Sequence, residues 1–101
     1  MLNFADKAKS KLERGWRKLA APCQFIPATG EPPFERGMNL LPTQSDMSRE
    51  YLMEPIQLVE WLKADGAVNV DDEFVMVGKR YQLTKLYEFD PLTVSFVYLE
   101  L

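Results

Sequence analysis

The spacing of apolar positions changes character twice along this chain. In the first segment Ala5, Ala8, Leu12, Trp16 and Leu19 recur at steps of three or four, which places them on one stripe of an amphipathic helix. Lysines and arginines fill most of the other faces. Asn3 suits an N-cap with Asp6 three residues on, basic residues gather toward the far end where they favour the helix dipole, and Pro22 stops the helix. The pattern predicts a helix over residues 4–20, with Gly15 as its weak internal point.

Between Pro22 and Pro55 lie six of the seven prolines, with Gly30 and Gly37 as further breaks, so only short strands fit. Cys23–Ile26 and Met38–Leu41 are the candidates. ATGEPPFERG between them and TQSDMSRE after them read as polar loops. Beyond Pro55 the alternation of IQLVEWL, residues 56–62, favours a strand, although its length also fits a short helix. FVMV, a tight connection at Gly78-Lys79 and RYQLTKLYEF make a hairpin; Asp90-Pro91 turns the chain again into TVSFVYLEL. Residues 73–101 are thus expected to form a three-strand meander. In the last strand both parities are apolar, Val94, Phe96 and Tyr98 on one and Val97, Leu99 and Leu101 on the other, which predicts cover on both faces.

Length and composition narrow this to one domain: 101 residues, 47% hydrophobic and 27% charged, carry a single modest core. Its expected parts are a helix over 1–21, a loop-rich segment over 22–55 and a β core over 56–101, a mainly β fold with a short amphipathic N-terminal helix and long loops. The net charge of −3 is unevenly spread, because residues 1–20 hold six cations against two acids and the remaining 81 residues carry −7. A cationic segment on an anionic body favours attraction between copies. Charges interrupt the first 22 residues every two or three positions, unlike the apolar core of a signal peptide, and no membrane-spanning run is visible, so synthesis in the cytoplasm is expected.

Histidine is absent and Cys23 is the one cysteine, which removes imidazole-dependent triads, the usual zinc sets and an intramolecular disulfide. Asp71, Asp72 and Glu73 are adjacent acids without the spaced oxygens of a calcium loop and read as a solvated turn. Glu54 and Glu60 have nothing to single them out as a catalytic pair. Cys23 has only Arg17 and Lys18 nearby in sequence to activate it and reads as a small buried hydrophobe. No GxGxxG or GxxxxGK loop occurs. No catalytic residue, cofactor or metal is therefore assigned. The basic helix, with Phe4 and Trp16 among its cations, can serve an acidic membrane surface or nucleic-acid phosphates. The plainer expectation is that Leu12, Trp16 and Leu19 dock on the β domain or on another subunit.

The string DEFVMVGKRYQL, residues 72–83, resembles the acidic residue, strand, glycine turn, aromatic, strand signature of small phage connector proteins. With the charged leading helix, the loop-rich middle, the PxxLV run at Pro55–Val59 and the closing YLEL, the chain is similar to head–tail joining proteins of lambda-type tailed phages. The residue-level likeness is confined to 55–60 and 72–99. The resemblance implies a small β-sandwich or barrel without enzymatic activity. It implies a homo-oligomeric ring at the portal vertex of the virion, built from chains that are allowed to be monomeric in solution. The implied partners are head and tail proteins, portal or adaptor on one side and tail terminator on the other, with no specific nucleic-acid sequence and no membrane. A tail-completion or minor tail protein is the neighbouring alternative. Contact residues expected on this reading are Lys7, Lys11, Arg14, Trp16 and Lys18 on the helix, Glu31, Phe34, Glu35 and Arg36 in the first loop, and Asp46, Arg49 and Glu50 in the second.

Overall fold

The computed structural model describes residues 4–41, 44–45 and 55–101. A helix, α1 (Phe4–Leu19), leads into β1 (Ala21–Ile26) and β2 (Phe34–Leu40). Two short strands, β3 (Gln44–Ser45) and β4 (Pro55–Ile56), pair with each other. Then come β5 (Leu58–Leu62), a 3-10 turn over Lys63–Asp65, β6 (Glu73–Met76), β7 (Lys79–Phe89) and β8 (Thr93–Glu100). Six strands close into an antiparallel barrel in the order β1-β2-β5-β8-β7-β6. Its closing seam is the pairing of β1 with β6, from Gln24 opposite Val75 to Ile26 opposite Glu73. Closure pairs the backbone groups that a sheet edge would leave open.

The helix and the 73–101 meander appear where the periodicities place them, whereas the loop-rich segment does not remain outside the core. β2 begins at Phe34, inside the stretch read as a loop, because Phe34, Arg36 and Met38 alternate with Glu35 and Gly37 at the period of a strand. The prolines at 32 and 33 end before that alternation starts. IQLVEWL is strand throughout except Gln57, which separates β4 from β5. Asn3 lies outside the described residues, as do Glu54 and, of TQSDMSRE, all but Gln44 and Ser45.

The barrel interior is aromatic. Phe34 meets Phe25 with ring centroids 5.5 Å apart, Phe25 meets Trp61 at 5.1 Å, Trp61 meets Phe74 at 5.3 Å and Phe74 meets Tyr98 at 5.5 Å, all edge to face. Tyr81 stacks on Phe74 at 5.1 Å. Each such contact contributes about 0.5–1.5 kcal/mol beyond the burial of its area. Cys23, Met38, Val59, Leu83 and Phe96 fill the space between the rings. The expectation of cover on both faces of β8 is met only in part: Phe96 and Tyr98 are buried inside, while Leu99 and Leu101 are exposed.

Asp72 overturns the expectation of a solvated acidic turn. It is buried, its Oδ1 accepts from the Ala28 backbone N–H at 2.8 Å and its Oδ2 from that of Asn69 at 2.7 Å. Both oxygens tie the end of β1 and the loop before β6 to one point. The β6–β7 hairpin turns at Val77-Gly78, one residue before the expected position, with φ of 51° and 75°. Two positive φ angles make a mirror-image turn in which asparagine and glycine are favoured, and Val77, β-branched and 93% exposed, gains no packing there.

Val77→Asn is therefore expected to raise stability by about 1 kcal/mol, seen as a higher denaturant midpoint at unchanged slope. Asp72→Ala should lower it by about 2 kcal/mol, because two partly buried backbone N–H groups lose their acceptor together; an unchanged midpoint in either variant would contradict the respective assignment.

Candidate functional site

The interior of this barrel is occupied by side chains, so chemistry available to a partner must come from its outer surface. Two regions there stand out. The first is the cationic helix. At about 100° per residue, Trp16 lies about 40° around α1 from Leu12 and about 60° from Leu19, so a contact centred beyond Trp16 leaves both leucines to one side. That is the contact made. Trp16 Nε1 donates to Glu60 Oε1 at 2.6 Å, a hydrogen bond strengthened by the carboxylate charge. Arg17 Nη2 lies 2.8 Å from Asp65 Oδ1. A Cβ on Gly37 would come within 3.1 Å of Ala20 Cβ and 3.5 Å of the Trp16 ring, so glycine allows the end of the helix to press onto β2.

Leu12 is 62% exposed and Leu19 79%. The expectation that both dock on the β domain is corrected: the barrel takes the edge of the stripe marked by Trp16, because Glu60 and Gly37 offer the hydrogen bond and the close approach on that side. Lys11, Arg14 and Lys18 are exposed on α1, and Lys7 lies within it.

Glu31 and Glu35 are exposed and Phe34 is partly so, as a contact surface requires. Arg36 is not available. It is 5% exposed and enters the end of the barrel, with its guanidinium carbon 4.8 Å from the Phe25 ring centre and 5.2 Å from that of Trp61. Its Nη2 donates to the carbonyls of Leu62 at 2.9 Å and Gly66 at 3.3 Å, while its Nε and Nη1 and the Nε1 of Trp61 have no hydrogen-bond partner among the described residues. Burial lowers its pKa from the usual arginine value, and Asp65, Cys23 and Asp72 oppose that shift. The aromatic faces explain the placement, since a guanidinium stacks on rings that an ammonium would only touch. Asp46, Arg49 and Glu50 lie outside the described residues.

The second region went unrecognised in the sequence. An open groove of about 420 Å³ runs between the 66–70 segment and the sheet of β7 and β8, lined by Val68, Val70, Leu86, Phe89, Val94 and Phe96. Phe89 is 68% exposed, and Lys63 Nζ stands 5.2 Å from its ring centre. The groove exists because β7 runs eleven residues and bends at two register shifts, between Leu83 and Lys85 and between Leu86 and Glu88. The apolar residues of both parities in β7 and β8 were its signal, but the strand pattern does not say which of them a neighbouring segment covers.

Asp90 fixes the turn at the groove's end: its Oδ1 accepts from the N–H groups of Leu92 at 2.8 Å and Thr93 at 2.7 Å. The Thr93 backbone bond, with those of Leu92 and the Thr93 hydroxyl and the nearby Lys63, holds its carboxyl below the ordinary aspartate range. Cys23 is buried in the core, and desolvation pushes its thiol up to about 11, so it is not a thiolate at neutral pH. Tyr98 is likewise raised by burial. A scan against protein-family models finds no match for this chain, and a search of curated proteins finds none either.

Proposed function

We propose that this protein is a non-enzymatic adaptor of a phage virion that joins the DNA-filled head to the tail, acting as a ring of identical subunits at the portal vertex. The observation that carries the reading is the position of α1. A closed barrel with a filled interior holds a cationic helix by its last turn, and the helix keeps Leu12, Leu19, Lys9, Lys11 and Lys18 exposed. Apolar and charged groups left on an outer surface favour contact with other proteins. The order of elements resembling a connector agrees with this, and so does the opposite charge of helix and body, which favours head-to-tail contacts between copies. Its partners on this reading are portal or adaptor on the head side and the tail terminator on the other.

A second reading is favoured by the same exposed stripe: a helix with leucines on one side and lysines on the others suits an anionic membrane surface. Vesicle binding at low salt that survives in variants unable to join heads and tails would support it.

The direct test adds the purified chain to heads and tails from particles lacking their joining protein. Infectious particles are the expected result, and their absence with a correctly folded chain overturns the reading. Pull-down separates the neighbouring roles, because a joining protein binds isolated heads and a tail-completion protein isolated tails. Trp16→Ala should abolish joining while the barrel stays folded by circular dichroism, since the substitution removes the Glu60 bond and the ring that seats the helix; full joining by this variant would show that the position of the helix is irrelevant.

A further inference from the structure

The exposed stripe of α1 and the groove beside β7 are complementary in three respects. Both are apolar: Leu12 and Leu19 on the helix, Val70, Leu86 and Phe89 in the groove are all exposed. Both are open in the lone chain, since the barrel engages α1 through Trp16, Arg17 and Ala20, and the groove faces solvent. Their surroundings differ in sign. Lys11 and Lys18 flank the leucines on the side away from Trp16, at about 80–120° around the helix. Lys63 is the charged residue that lines the groove, its ammonium beside Phe89 and Asp90, and the exposed acids Asp71 and Asp90 directly follow the lining residues Val70 and Phe89 in the chain. Over the whole chain, residues 1–20 carry +4 and the rest −7.

We infer that the Leu12–Leu19 stripe of one copy seats in the groove between residues 66–70 and the β7–β8 sheet of a second copy. The contact is heterologous. Each chain offers one helix and one groove, so copies add head to tail until the rotation closes the ring or a filament grows. The root of the helix is fixed beside Asp65, directly before the groove's own segment, which keeps donor and acceptor surfaces on one rigid unit. Helix-in-groove binding of this kind reads anchors about two turns apart, the spacing of Leu12 and Leu19. The inference deepens the adaptor reading by naming its subunit contact, and its test requires neither heads nor tails.

Full-length chains are compared by sedimentation velocity over a concentration series. Wild type should self-associate, more strongly at low salt. Leu12→Ser/Leu19→Ser, which spoils the helix, and Leu86→Ser/Phe89→Ser, which spoils the groove, should each associate at least about tenfold more weakly. Mixed together they should form a one-to-one heterodimer, because the first keeps its groove and the second its helix. Val70→Lys provides a groove variant on an exposed position in case the double substitution unfolds the sheet. A wild type that stays monomeric, variants that associate as wild type does, or a mixture that stays monomeric each overturns the proposed contact. Head–tail joining by a chain that never self-associates would overturn this contact and leave the adaptor reading standing.

Discussion

Everything on the outside of this protein depends on the run of rings that crosses the inside of its barrel. Phe34, Phe25, Trp61, Phe74 and Tyr98 come from five different strands and touch in sequence, so each strand is held to the next by backbone pairing and to the middle by an aromatic contact. A small barrel of six strands has room for about this much and little else. Its interior is thereby committed to stability, and Arg36 shows how fully: the cation at its end is covered by rings and carbonyls and not by solvent.

From that commitment follows the division of labour. Closure satisfies the strand edges and packing occupies the middle, so the surfaces left for recognition are those the barrel does not need. One is α1, anchored by Trp16 and Arg17. The other is the overhang of β7 and β8, where an eleven-residue strand outruns its neighbours and leaves Leu86 and Phe89 uncovered. Both are apolar surfaces with charged borders, the kind that gains from a protein partner more than from a small molecule.

Local signals carried much of this fold and long-range ones did not. The period of Ala8, Leu12, Trp16 and Leu19 marks a helix because periodicity is a property of the backbone alone, and the β6–β8 meander is written in branched and aromatic residues around Gly78 and Pro91. The face of the helix that docks is another matter. It is decided by Glu60 and Gly37, 44 and 21 residues from Trp16, which a local moment cannot register. Arg36 and Asp72 read as exposed for one reason: a charged residue does so until the fold brings distant partners to it, the Phe25 and Trp61 rings to Arg36 and the Ala28 N–H to Asp72. Of the expected contact residues, Lys11, Arg14 and Lys18 are exposed on the helix, whereas Trp16 faces the barrel and Arg36 is buried.

Hydrogen exchange on the dilute, monomeric chain tests most directly whether the helix is held only by its last turn. On this account the amides of β1, β5 and β8 exchange through global unfolding alone, while those of residues 8–15 exchange orders of magnitude faster through fraying of a helix without tertiary cover. Protection of residues 8–15 equal to that of the barrel would contradict it.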